Sequence, residues 1–397
     1  MDIILIALKN KLTTSMSFRA LSLSFGIYIS SLNLKCKQPT HTTLLNWIHK
    51  IGYYELTKKK ETANDWVIIL DESVQLGQDR VLVVFGIREK NIDFTGPLQY
   101  HNLVPLREIS KKKWTGEIIR DALLDLKEEL GTIKYAVGDY AGQLKKALRL
   151  AEIPYIHDLT HKIALFLEKK YKRSPEYVEL IKKMSVMRNK YSQTNIAYII
   201  PPKQRTKSRY QNIKIISDWC MKSLKYLDTS KDTNDEVYEK LEWLMEYRSL
   251  IYELSELNQI INNVERLLKH NGLSCEIKQK CFNELELLKS NIGTDFKSYL
   301  VEYFLETEIM LPDNKKILIT SDIIESAFGK YKNYLSQNAM AGVTNLILCI
   351  SAFTTTLSKA NIKEALENTT INDVKKWTRE FVGKTLLQKR KEILCYK

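Results

Sequence analysis

The chain lacks several features that would place it quickly. Its 6 cysteines (36, 220, 275, 281, 349 and 395) are scattered, and no pair has the tight CxxC spacing of a zinc site. They read as reduced thiols in a chain without a disulfide framework. No glycine-rich fingerprint follows any predicted strand, which argues against a dinucleotide-binding doubly wound sheet. No long uncharged apolar run is present: Arg19 interrupts the second apolar stretch, so no membrane span is expected. The opening run Ile3-Ile4-Leu5-Ile6-Ala7-Leu8 has its lysines after it rather than before it, the wrong order for a secretory leader. No internal repeat or low-complexity tract stands out. Acidic charge is also in deficit, since 61 Lys and Arg face 47 Asp and Glu, a net +14. A chain this basic is expected to meet a polyanion, and nucleic acid is the usual one.

At 397 residues there is room for more than one domain. Residues 1–60 read as helical. Ser17 to Leu34 carries apolar residues at helical spacing, and Lys37-Gln38-Pro39 breaks it. A second helix follows, with Thr40 or Thr42 to cap it and Gly52 to end it. Helix, short break, helix is helix-turn-helix spacing, and it predicts DNA contacts from Thr42, Thr43, Asn46 and Lys50.

Residues 61–165 change character. Trp66–Leu70, Arg80–Arg88, Leu98–Leu106, Lys134–Val137 and Ile153–Ile156 read as strands. Trp114–Leu130 and Gly142–Ala151 read as helices. Residues 166–310 are helical in pattern. Val237, Leu241, Leu244, Ile251, Leu254, Leu257, Ile261, Val264 and Leu268 predict one helix about 50 Å long, ending near Asn271-Gly272. Such a heptad serves either an intermolecular coiled coil or a hairpin folded back within the chain. In 311–397, Asp322 to Glu325 has capping-box spacing, Ala341-Gly342 breaks the helix begun there, and Val343–Leu357 reads as an apolar helix.

Asp71 and Asp139 each close a short apolar run, Trp66–Leu70 and Tyr135–Gly138. Glu325 lies far downstream on a predicted helix. Acids at neighbouring strand ends, with another on a packing helix, can share divalent cations. Glu72 would point to the opposite face from Asp71, so Asp71, which directly follows the buried run, is the preferred ligand. His157-Asp158-Leu159-Thr160-His161 has the two-histidine spacing of a zinc helix. It follows a strand directly, however, and Asp158 is better placed as a helix cap, with Asp158 and His161 in accessory roles. Lys203, Arg205, Lys207 and Arg209 alternate after Pro201-Pro202, and Tyr210 adds a flat ring. That segment, with Lys330 and Lys332 near Glu325, is the other expected DNA contact.

The order β-β-β-α-β-α-β matches a ribonuclease H-like fold, an α/β mixed sheet flanked by helices. The ordered series Thr43 to Leu56, Asp65 to Asp71, Val137-Gly138-Asp139, His157 to Lys162 and Pro201 to Tyr210 resembles bacterial insertion-sequence transposases with an Asp-Asp-Glu triad. The resemblance implies a helix-turn-helix region (1–60), a core in two parts (61–165 and 311–397) and a large all-α insertion (166–310). It implies Asp71, Asp139 and Glu325 as catalytic metal ligands for Mg²⁺, with Mn²⁺ as an alternative. Cleavage at transposon DNA ends and strand transfer into target DNA would follow, in a homodimer on double-stranded DNA, in the bacterial cytoplasm or on the nucleoid. Lys332 sits seven positions after Glu325, as in many such enzymes, but Asn314 and Ser321 occupy places where a Tyr and an Arg are usual. A catalytically inactive DNA-binding relative and a plain nuclease on the same fold are the competing expectations.

Overall fold

The computed structural model describes all residues except 77–78, 140, 204–212, 231–234, 289, 309–315, 336–341 and 395–397. The expected contacts Arg205, Lys207, Arg209 and Tyr210, and the break at Ala341, therefore lie outside the described residues. The chain divides into two compact units. The first comprises Met1–Asp93, Pro97–Ile156 and Thr320–Lys397; the second comprises Phe94–Gly96 and His157–Ile319.

The first unit opens with helices α1 (Asp2–Thr13), α2 (Phe18–Ser31) and α3 (His41–Thr57). Ala7, Leu21, Phe25 and Leu44 form their shared core. Five strands follow: β1 (Ala63–Leu76), β2 (Asp79–Arg88), β3 (Val104–Lys111), β4 (Gly131–Gly138) and β5 (Tyr155–His157). Helix α4 (Gly116–Leu130) precedes β4, and α5 (Gly142–Leu150) follows it. The sheet order is β3-β2-β1-β4-β5. β2 is antiparallel to both β1 and β3, whereas β1 and β4 run parallel. This mixed sheet flanked by helices is the arrangement expected of a ribonuclease H-like core.

Side chains alternate across the sheet. Trp66, Ile68 and Leu70 of β1 pack into one core with Ile119, Leu123 and Leu126 of α4 and Leu144, Ala147 and Leu148 of α5. The apolar stripe of α4 recurs at helical spacing, and the Thr115 hydroxyl accepts the Ile118 N–H at its start.

The second unit is helical: α6 (Leu159–Tyr171), α7 (Pro175–Tyr191), α8 (Ile213–Thr229), α9 (Glu236–Leu241), α10 (Arg248–Asn271), α11 (Cys275–Leu285) and α12 (Asn291–Glu308). The chain then rejoins the first unit through α13 (Asp322–Tyr334), α14 (Cys349–Phe353), α15 (Lys359–Glu367), α16 (Ile371–Trp377) and α17 (Leu386–Leu394). Helices α13 and α4 both pack on β1, while α14, α15 and α16 pack on α3.

Several sequence expectations are corrected. The predicted long helix is broken: a 3₁₀ turn, Glu242–Tyr247, separates α9 from α10. The helix does end at Asn271, where Gly272 carries φ of 67°. Its apolar stripe is buried on α6, α8, α11 and α12, so the stripe serves intramolecular packing and not a coiled coil between chains. β3 begins later than expected because Tyr100–Asn102 forms a 3₁₀ turn closed by reciprocal Gln99 and Asn102 bonds. Val343–Leu357 shortens to a 3₁₀ turn plus α14. The Thr344 hydroxyl accepts the Leu346 N–H, and the Thr354 hydroxyl bonds back to the Ser351 carbonyl, both competing with a longer helix. At α13 no capping box forms: Ser321 is the cap residue, and the Thr320 hydroxyl accepts the Asp322 N–H at 3.3 Å.

Gly52 does not end α3, which runs on to Thr57. A β-carbon at position 52 would sit far inside van der Waals contact distance of the Leu348 carbonyl oxygen. The missing side chain lets the backbone before α14 come against α3. Gly52→Ala gains up to about 1 kcal/mol in helix propensity. The clash should outweigh it and leave the protein about 1–3 kcal/mol less stable in chemical denaturation. A neutral or stabilised variant would contradict the close approach.

Candidate active site

The parallel pairing of β1 and β4 sets the geometry. Val67, Ile68, Ile69 and Leu70 stand opposite Tyr135, Ala136, Val137 and Gly138. Asp139 is the first residue past β4. Asp71, expected to close its strand, instead lies inside β1, which runs on to Leu76 paired with β2; it sits at the point where the pairing of β1 with β4 stops. The two neighbouring strands are about 4.8 Å apart. Open α/β sheets gather their functional groups at that edge. A side chain on Gly138 would press on the Leu70 carbonyl oxygen, 2.8 Å from its β-carbon. Glycine there keeps the two strands close where the acids emerge. The β1–β2 ladder slips between Asp71 and Val74, a bulge of the kind that redirects side chains beside sites.

Asp71 is buried and Asp139 half-buried. One Asp139 carboxylate oxygen accepts the Ala141 N–H at 2.9 Å, the Asx turn that leads into α5. The Tyr155 hydroxyl donates to the Asp139 carbonyl. Both bonds fix the backbone at the strand end.

By alternation Asp71 lies on the sheet face opposite Leu70 and α4. It stands opposite Val83 on β2, and Val83 stands opposite Glu108 on β3. Cross-strand partners share a face, so Glu108 and Asp71 are on the same side, about 10 Å apart. Glu108 accepts a hydrogen bond from Ser351 on α14, and α14 packs on α13, the helix that carries Glu325. Glu325 is half-buried beside the buried residues Ile324, Ala327, Phe328 and Tyr331. Asp71 lies in β1 next to the strand that leads to Asp139, and α13, which carries Glu325, packs on β1. Among the described residues, however, no group of three acidic, histidine or cysteine side chains stands ready to hold a metal ion.

Mg²⁺ is usually held by one or two carboxylates completed by water and substrate phosphates, not by an all-protein cage. Carboxylates on neighbouring strands, Asp71 inside β1 and Asp139 just past β4, fit that requirement.

Sequence reasoning passed over two acids. Glu72 is buried and accepts a bond from Gln143, and Arg80 lies 3.6 Å from it. Burial, reinforced by the Asp139 charge and opposed by Arg80, pushes its carboxyl up to about 7. The acidic doublet Asp71-Glu72 was visible in the sequence, but the Gln143 partnership was not. Glu108 was invisible as a site residue because β3 was expected earlier in the chain. It is 2% exposed, and burial pushes its carboxyl up to about 8 despite the Ser351 bonds. Its second oxygen and the Tyr331 hydroxyl are buried without a hydrogen-bond partner among the described residues.

The remaining predicted contacts are dispersed. Thr40, not Thr42, caps α3 through the Thr43 N–H at 3.2 Å; Thr42 is exposed, and Thr43 and Asn46 are half-buried. The Lys50 ammonium donates to the Leu366 carbonyl at 3.1 Å. Lys330 lies over the Tyr100 ring at 4.3 Å, Lys332 is exposed on α13, and Lys203 is exposed. Asp158 and His161 belong to the second unit, where the Asp158 carboxylate caps α6 by accepting the His161 N–H at 2.9 Å.

No protein-family model and no curated protein sequence matches the chain. Among solved structures it is similar to one titled "Drosophila P element transposase strand transfer complex". The TM-score is 0.39 and the identity 12%, over 93% of this chain and 92% of that one. This is a distant likeness of chain path. No helix of the described residues is long and apolar enough to cross a membrane.

Glu108 makes a pH-dependent contribution to stability. Its folded pKa is raised from 4.5 to about 8, so its stabilising effect is complete below 4.5 and is lost as pH rises through 8. Glu108→Gln, neutral and of the same shape, should exceed the parent by roughly 3 kcal/mol at pH 7. The gap should close toward pH 4. Thermal unfolding midpoints of both proteins across that range check it.

Proposed function

We propose that this chain is a polynucleotidyl transferase of the Asp-Asp-Glu transposase type, acting on double-stranded DNA. One observation carries the reading: Leu70 and Gly138 are register partners in adjacent parallel strands, which sets Asp71 beside Asp139. The sheet order, the packing of the Glu325 helix on β1 and the net charge of +14 support it.

On this reading Asp71, Asp139 and Glu325 hold Mg²⁺, or Mn²⁺ in its place. The cation, when bound, would supply Lewis-acid stabilisation of the attacking and leaving oxygens of a phosphodiester. The chain's own part is to hold hard oxygen donors at a rigid sheet edge. Asp139 is oriented by its Asx turn, and α13 brings Glu325 to β1. The exposed Lys332 on α13 would meet DNA phosphate. Transposon ends and target DNA would be the substrates, and a homodimer would bring two ends together in the bacterial cytoplasm or on the nucleoid. A second reading, a non-cutting DNA-binding protein derived from such an enzyme, is favoured by the lack of a ready three-ligand cluster among the described residues.

Asp71→Asn, Asp139→Asn and Glu325→Gln, assayed separately with Mg²⁺ on element-end DNA, decide between them. Each should lose at least about 100-fold in cleavage and strand joining, the size of several kcal/mol of charge stabilisation. DNA affinity should be retained. If the parent makes no cut under conditions where it binds DNA, the non-cutting reading stands. Cleavage without a joined product would identify a nuclease.

A further inference from the structure

We propose that the cleft between α7 and the 3₁₀ turn Glu242–Tyr247 binds an unpaired nucleic-acid strand, with a base against Trp243 and phosphates against Lys182 and Lys190. The cleft is a cavity of about 610 Å³ within the second unit, lined by Lys182, Lys183, Val186, Lys190, Tyr191 and Trp243 among others.

The argument begins from the helix that does not form. Apolar residues recur at helical spacing from Val237 to Leu268 with one gap, between Leu244 and Ile251, and the backbone tightens to 3₁₀ between Glu242 and Tyr247. Short 3₁₀ interruptions within helical stretches often mark functional positions. Here the tightening brings Trp243 and Tyr247 against α7, where the Lys183 ammonium lies 5.8 Å and 4.9 Å from their ring centroids. The indole N–H of Trp243 donates to the Lys240 carbonyl at 3.0 Å. The ring is therefore held in place with its polar edge satisfied, and it lines the cavity as a fixed flat surface.

The cations divide into two groups. Lys183 is tied to Glu246 at 2.7 Å and Lys240 to Glu239 at 2.8 Å, so these pairs fix the walls. Lys182 and Lys190 are exposed on α7, eight residues and hence about 12 Å apart. That separation is on the order of a few nucleotides of one strand. Val186, 58% exposed, lies between them and covers the route with apolar surface. A flat ring in a cleft also lined by exposed lysines is the combination that binds single strands without sequence preference. An acidic peptide would gain from the lysines but would leave the indole unused; Glu179 and Glu239, which also line the cleft, would repel either polyanion and do not separate the two.

The site is independent of the cutting reading, and its test avoids cleavage. The full chain carrying Asp71→Asn is mixed with a fluorescently labelled thymidine oligonucleotide in chelator, and anisotropy is measured across salt. Adding Trp243→Ala should weaken binding about tenfold, while Trp243→Phe keeps most of it. Lys182→Ala with Lys190→Ala should lower the salt slope by about 1.4. Unchanged affinity in Trp243→Ala and an unchanged slope in the lysine pair would overturn the proposal. So would displacement of the oligonucleotide by polyglutamate as readily as by unlabelled strand.

Discussion

Parallel pairing of β1 with β4 is the constraint on which the candidate site depends. A one-residue slip would turn Asp71 or Asp139 to the other face of the sheet. The register is held from both sides. Leu70 belongs to the core under α4 and α5, and Gly138 leaves its neighbour's carbonyl no side chain to meet. Burial of the strand interiors thus fixes where two charged groups come out, although neither acid contributes to that burial. β2 and β3 extend the same logic, because Glu108 shares the face of Asp71 through Val83.

Placing carboxylates so near one another has an electrostatic cost in the absence of a cation. Glu72, buried and close to the Asp139 charge, titrates near neutrality rather than in the ordinary acid range. Glu108 is also held toward its protonated form by burial, against the opposing pull of its Ser351 bonds. Two acids of this sheet, Glu72 and Glu108, are thus driven toward neutrality by burial. Arg80 and Gln143 act on Glu72 alone, so its protonation can change while the Asx turn at Asp139 stays in place.

The strands and α4 were legible because their signals are local: an apolar run, an alternation, a threonine cap. Asp71 and Asp139 were legible because each closes such a run. Other features depended on contacts distant in sequence. Gly52 looked like a helix end, but its role is set by Leu348, which no local pattern reveals. The break at Glu242 left only a faint mark, the gap between Leu244 and Ile251 in an otherwise helical spacing. Glu108 gained its place only from a cross-strand partner and from Ser351. The Thr42 to Lys50 stretch looked like a free recognition helix. Instead α3 is surrounded by α1, α2, β3, α14, α15 and α16, which local periodicity cannot distinguish from exposure on one side.

The first unit is assembled from segments at both ends of the chain, with the helical unit encoded between them. During synthesis, β1 to β5 leave the ribosome long before α13 and α14 exist. One face of the sheet can be covered at once by α4 and α5. The full set of helices on β1 and α3 waits for the last fifth of the polypeptide, which supplies α13 against β1 and α14 against α3. A nascent chain of this design carries an uncovered apolar surface for seconds at ordinary translation rates. It therefore needs either slow, reversible sheet closure or a chaperone to hold it, and a ribosome stalled before Thr320 would release a species prone to aggregate.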